Sequence, residues 1–333
     1  DLEVTSVTFS REKLDKGIAS KLTASELLQF SDLDSDSSKP NYLSTNFQPT
    51  VSFPEFSWNM TPALRHQIGG PEAFYLGQLW WKVNSTLKLR RGLTIYNTLG
   101  MDIYNNFDQF NNASKSSIQH VRSDIQDYLS EGENNIARLK LDYIWSPYKD
   151  LFARFDIGYL EEMFGGIGGE LYYRPFNSKF SAGITLHKVK QRNYDQKFSF
   201  RDYTTETGHL GLYYDWPNQV QSHILVGKYL AGDKGATIDL SRRFKTGFTL
   251  GIFATMTNLS PEEFGEGGFD KGFYFQIPMD ILSPKYGSGH IPFGMHPLTK
   301  DGGALLNYHN SLYGLLGDTN KSSWLRDWQD ILD

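Results

Sequence analysis

The chain has 333 residues, a net charge of −5, 39% hydrophobic and 21% charged residues, and no cysteine. Disulfides, thiolate chemistry and thiolate metal sites are thereby excluded, and the mild acidity argues against a nucleic-acid binder, which needs a basic face. The mean hydropathy is −0.46, and no stretch approaches the roughly 20 apolar residues of a membrane helix, but a transmembrane β-strand needs only about 10 residues with every second one apolar.

Asp1 opens the chain without a basic and apolar leader, so any secretion signal is expected to have been removed or to lie outside this sequence. Residues 1–48 read as an N-terminal segment with a strand-like "VTSVTF", a helical stretch from Gly17 to Phe30, and a polar "SDLDSDSSKPN". Asp32, Asp34 and Asp36 suggest a calcium loop, but the glycine and closing glutamate of an EF-hand are missing, and a solvated linker is expected.

From there, alternation of period two marks twelve strands, at 50–59, 74–88, 92–104, 136–145, 151–160, 166–175, 179–189, 207–215, 220–228, 235–243, 247–256 and 271–280. The hairpin "IARLKLDYIWSPYKDLFARFDIGYL" (136–160) is the clearest case. Ala137, Leu139, Leu141, Tyr143 and Trp145 share one face, with Arg138, Lys140 and Asp142 on the other; Leu151, Ala153, Phe155, Ile157 and Tyr159 then oppose Arg154 and Asp156. A pivot on Tyr148 predicts Lys140 opposite Asp156 and Asp142 opposite Arg154.

The connections alternate between short, turn-rich ones (89–91, 146–150, 176–178, 216–219, 244–246) and mostly longer ones (60–73, 105–135, 190–206, 229–234, 257–270), with 161–165 the shortest of these. This is the pattern of an antiparallel up-and-down transmembrane β-barrel of about 12 strands, with tight periplasmic turns at one end and extended outer loops at the other. An even strand number places both termini at the short-turn end, in the periplasm. The barrel is assigned to 49–282, and the Gly-, Pro-, His- and Trp-rich tail, 283–333, to the periplasm or the barrel interior. A soluble antiparallel sandwich alternates too, with charges outward. Aromatics near strand ends, such as Trp81, Tyr143, Trp145, Tyr159 and Trp216, favour the membrane reading as interfacial girdles.

No catalytic motif is complete: G-x-S-x-G, H-E-x-x-H and the P-loop are missing, and "GGIGGE" (165–170) lacks the spacing and helix of a dinucleotide site. His290, His296 and His309 are irregularly spaced for a metal, and His187 and His209 have no serine tied to them, so no enzyme activity, metal or cofactor is expected. Glu262, Glu263, Glu266 and Asp270 crowd one long loop, read as extracellular and solvated. Gly165, Gly166, Gly168 and Gly169 open a strand where side chains would block curvature or close approach. Glu170, Tyr172 and Arg174 follow on its polar face. Together with Arg138, Lys140, Asp142, Arg154 and Asp156 they form the expected lumen lining, fit for saccharide contact or simple filling.

Longer strings carry a resemblance. "GYLEEMFGGIGGELYYRPF" (158–176), "VGKYLAGDKGATIDLSRRFKTGFTLGIFATMTNLSPEEFGEGGFDKGFYFQIPMDIL" (226–282), "VRSDIQDY" (121–128), "QRNYD" (191–195), "DYTTETGHLGLYY" (202–214) and "PLTKDGGALLN" (297–307) resemble the YjbH/GfcD-like family of outer-membrane exopolysaccharide and capsule biosynthesis proteins. The resemblance implies a component of polymer secretion or assembly in the outer membrane. Its expected partners are lipid, polysaccharide, export proteins of the same pathway and a second barrel-like half, because family members are longer than this chain. A small oligosaccharide porin and an outer-membrane hydrolase are the alternative expectations.

Overall fold

The computed structural model describes residues 6–34, 52–68, 75–107, 116–244, 246–264, 268–278, 290–295, 301–326 and 328. The N-terminal segment folds as β1 (Ser6–Phe9), α1 (Arg11–Ile18), α2 (Ala24–Gln29) and β2 (Ser31–Asp34), with β1 and β2 paired antiparallel. Ser10 caps α1, and Thr23 with Glu26 forms a reciprocal capping box on α2, so the expected helical stretch from Gly17 to Phe30 holds only α2 and the last two residues of α1, which begins earlier, at Arg11. Residues 31–34, expected as linker, are instead drawn into β2 by their pairing with β1; Asp36 lies outside the described residues.

One large sheet follows. Its strands are β3 (Glu55–Ile68), β4 (Tyr75–Arg90), β5 (Leu93–Asn105), β6 (Asn135–Tyr148), β7 (Leu151–Tyr159), β8 (Phe164–Tyr173), β9 (Phe180–Arg192), β10 (Phe200–Asp215), β11 (Val220–Lys228), β12 (Lys234–Arg243), β13 (Thr249–Thr257), β14 (Asp270–Pro278) and β15 (His290–Met295). Each pairs antiparallel with its neighbours in sequence, leaving β3 and β15 at the two edges among the described residues. Eleven of these strands, β4 to β14, overlap closely the positions alternation gives them, although β10 begins at Phe200, inside the expected 190–206 connection. β3 is shifted, because residues 60–68, expected as a long connection, pair with β4 and carry the strand to Ile68, and β15 adds a thirteenth from within the tail. Between them lie α3 (Ile125–Glu131) and α4 (Pro261–Phe264), and after them α5 (Leu312–Leu316) and α6 (Lys321–Arg326).

The β6–β7 register differs from the expected one by two residues. Asp142 pairs with Asp156, and Ile144 with Arg154, because the turn is the dipeptide Lys149–Asp150 closed by Tyr148 opposite Leu151. Asp150 takes a left-handed φ of 59°, which aspartate tolerates better than most residues. The irregularity between Trp145 and Tyr148 holds Pro147, which has no N–H for the ladder. Ser146 Oγ bonds the carbonyls of Tyr148 and Leu151 at 2.9 and 3.0 Å across it.

The two faces of the sheet are inverted relative to a soluble protein. Lys140, Asp142, Arg154 and Asp156 are each at most 2% exposed. On the opposite face Leu171, Ile184, Leu210 and Val226 form one cross-strand row through β8–β11, each 41–50% exposed. Ile238, Leu240, Ile252 and Met256 extend this apolar surface over β12 and β13. A contiguous apolar surface across several strands, rather than singly scattered apolar residues, is the kind that meets another apolar phase or a partner. No described helix is long and apolar enough to cross a membrane.

Candidate functional site

The charged face is organised along strands and then across them. Lys140 Nζ lies 2.9 Å from Asp142, and Arg154 lies 2.9 Å from Asp156 and 3.7 Å from Glu170, its direct partner on β8. Gly168 sits between Asp156 and His187 in register. A Cβ on Gly168 would fall 2.1 Å from the His187 ring, so only glycine lets His187 of β9 lean over β8 and come within 3.2 Å of Asp156 on β7.

This face is covered by the chain's own C-terminal segment, which runs from the long-loop end to the short-turn end. At the first end, Asp301 accepts the backbone N–H groups of Val121, Arg122 and Ser123 at 2.7–2.9 Å. Arg122 is bidentate to Glu161 at 2.7 and 3.0 Å, Glu161 accepts Asn307 N–H, and Asp233 accepts Gly303 N–H. Val121, Tyr128, Leu160, Phe164, Leu230 and Leu306 close an apolar cluster there. Burial holds the Asp233 carboxyl above the usual range.

In the middle, His309 and Asn310 both take a φ of 55°, a conformation these two residue types adopt more readily than most. Their backbone carbonyls and that of Tyr308 turn to the cations. Lys140 donates to Tyr308 O at 2.5 Å, and Arg154 donates to the carbonyls of His309 and Asn310 at 2.9 and 2.8 Å. The Tyr308 ring stacks on His187 and lies under the Arg154 guanidinium. At the far end Glu170 accepts Leu312 N–H, Arg174 bridges Asp215 and Gly317 O, and Arg243 pairs with Asp318 at 2.6 Å. Phe152, Tyr172, Leu312 and Leu316 pack beneath these contacts.

All eight residues expected on the polar face therefore lie on it, and the tail covers that face. Lys140, Arg154, Glu170 and Arg174 bond the tail directly, Tyr172 packs against it and bonds Ser181 at 2.9 Å, and Asp142 and Asp156 neutralise the cations. Arg138 donates to Leu160 O. The loop acids do not gather into a site: Glu263 caps α4 reciprocally with Ser260, Glu262 is exposed, Asp270 begins β14, and Glu266 lies outside the described residues. No group of three or more potential metal-ligating side chains forms among the described residues. His187 and His209 have no serine partner there; His187 meets Asp156 and His209 packs on Tyr229.

Sequence reasoning missed Tyr308, Tyr313, Asp301 and Asn310, whose roles depend on where the tail lies. A cavity of about 970 Å³ separates this segment from β9–β13, and a smaller one of about 320 Å³ lies near Lys82 and Arg138.

Fold and site together define an up-and-down antiparallel β protein whose polar face is occupied by its own C-terminal segment and whose apolar face is open. The chain belongs to the YjbH family: the family model described as exopolysaccharide biosynthesis protein YbjH matches residues 1–318. It is 36% identical over 273 residues to the uncharacterized lipoprotein YjbH of Escherichia coli (strain K12), covering 79% of this chain and 39% of that protein. The chain thus spans about two fifths of that relative's length. A structure of Salmonella typhi OmpF in complex with daunomycin aligns over 67% of this chain and 85% of that one, at 12% identity and a TM-score of 0.36.

Proposed function

We propose that this chain forms a β-barrel part of an outer-membrane exopolysaccharide secretion protein, scaffolding or conducting the polymer, and that its tail is the plug. The carrying observation is the inversion of the sheet: apolar side chains outward, paired charges inward beneath residues 301–326. In lipid every strand edge must find a partner, so β3 closes onto β15 or onto the remainder of a longer protein. Exposed aromatics at strand ends, Trp216 and Tyr148 among them, suit the interface on the short-turn side. Trp328 donates its indole N–H to Ala24 O at 2.7 Å, which puts the N-terminal helices and the end of the tail together. In this reading both lie in the periplasm. The chain acts without catalysis; the buried charges hold the plug.

The test is reconstitution into planar bilayers of the whole chain and of a chain ending at residue 300, which keeps β15. Insertion of both, with conductance only in the shortened form, is the expected result. Conductance by the whole chain would instead point to an open oligosaccharide porin, and failure of both to insert would remove the membrane reading.

A further inference from the structure

The cavity of about 970 Å³ between the tail and β9–β13 is not used by the ladder of charges, since Lys140, Arg154 and Arg174 do not line it. Its volume falls at the upper end of the range of about 300–1,000 Å³ typical of small-molecule sites. Three features set its chemistry. First, His209 is 8% exposed, lines the cavity, and its Nε2 has no hydrogen-bond partner. A buried polar atom left unpaired costs about 1–3 kcal/mol, so it is suited to a ligand that supplies the missing partner.

Second, the wall carries a relay of hydroxyls. Tyr229 Oη lies 2.8 Å from Thr237 Oγ1, which lies 2.8 Å from Thr255 Oγ1. Three hydroxyls joined by two hydrogen bonds retain one proton and several lone pairs, and Thr237 and Thr255 both line the cavity. Third, aromatic rings complete the wall, with Tyr213 and Tyr313 held parallel at 4.2 Å and Phe253 opposite Asp239 in register.

Charge decides between ligand classes. Arg122 is the cation on the wall among the described residues, and it is committed to Glu161 and Leu305 O. An acidic sugar would find no cation in need of a partner, whereas a neutral one matches hydroxyl, imidazole and ring. We infer that this cavity is a binding site for a neutral oligosaccharide, recognised by His209, Thr237 and Thr255 and by the surrounding rings. The inference rests on reading the chain as a protein that handles polysaccharide.

The test is isothermal titration of the whole chain in lauryldimethylamine oxide micelles with neutral tetrasaccharides of glucose, galactose, mannose and xylose, and with tetragalacturonate as the acidic probe. The expected result is binding of at least one neutral tetrasaccharide at least tenfold tighter than the acidic one. His209→Ala and Thr255→Val should each weaken it roughly tenfold, the effect of one lost hydrogen bond in a buried site. His209→Asn should restore part of the loss, and Lys188→Gln, on an exposed side chain, should change nothing. Retained fold is checked by the heat-dependent gel mobility of each variant.

Absence of neutral binding at millimolar concentration overturns the site, as does preference for the acidic probe or indifference to both substitutions. The bilayer experiment separates this failure from that of the secretion reading. Insertion without sugar binding removes the site alone, and sugar binding without insertion removes the membrane reading alone.

Discussion

Asp142 and Asp156 stand directly opposite each other across the β6–β7 hairpin, each neutralised along its own strand, by Lys140 and Arg154 at 2.9 Å. Like charges in register destabilise a bare sheet. Here the two in-strand ion pairs, the Arg154–Glu170 contact and His187 convert the clash into a compact mixed-charge cluster. Both cations also donate to tail carbonyls, Lys140 through Nζ and Arg154 through Nη1.

Removing one member of this cluster should cost far more than removing a pair. Asp142→Leu leaves Lys140 buried without its counter-charge, and about 3–5 kcal/mol of stability should be lost. Lys140→Met combined with Asp142→Leu should recover most of it. Urea unfolding in micelles, followed by tryptophan fluorescence, measures both; an equal loss in the single and double variants would contradict this account.

Gly168 is a steric requirement of the His187–Asp156 contact. Gly168→Ala brings a methyl to within 2.1 Å of the His187 ring and should destabilise by about 1–3 kcal/mol, the usual range for overpacking. His187→Ala in the same chain should remove the ring contact but not the backbone one, since the methyl also falls 2.6 Å from Leu186 O, so the double variant should still melt below the His187→Ala single variant.

The tail should detach from its loop-end anchor first when Asp301 is changed. Asp301→Ala removes a carboxylate that accepts three backbone N–H groups, hydrogen bonds worth about 1.5–3 kcal/mol each when charged. Residues 301–307 should then become sensitive to protease while the strands stay protected. Unchanged cleavage would show that Arg122 and Asp233 suffice to hold the segment.

The loop carrying this anchor should respond to pH through His120. Burial alone would lower its pKa, but hydrogen bonds to Asp124 and to Ser116 O, and the charges of Asp124 and Asp301, outweigh it and raise the pKa above 6.5. A histidine raised in the folded state stabilises fully below the unfolded value, and that contribution is lost as pH climbs through the folded one. Amide exchange in residues 116–134 should therefore be slower at pH 6 than at pH 8.5 after correction for intrinsic rates. His120→Asn should abolish the difference.

The sequence by itself determined most of the strands, from β4 to β14, their antiparallel order and which side chains share a face, because period-two alternation is a local property that each strand carries. Eight polar-face residues from Arg138 to Arg174 were legible for that reason. It also put "VRSDIQDY", "GYLEEMF", "QRNYD" and "PLTKDGGALLN" in one family pattern, but not in one place. Only the tertiary structure brings Val121, Glu161, Arg192 and Asp301 to the same end of the sheet, with Tyr128 bonded to Arg192 O and Asp301 to the Val121 amide. The β6–β7 register was likewise beyond the alternation, which is unchanged by a slip of two residues; the left-handed Asp150 and the irregularity at Pro147 decide it. The path of the tail was decided last of all. Its anchors lie from 70 to more than 180 residues away in sequence, and only the folded sheet presents cations, carboxylates and glycines in the line that residues 301–326 follow.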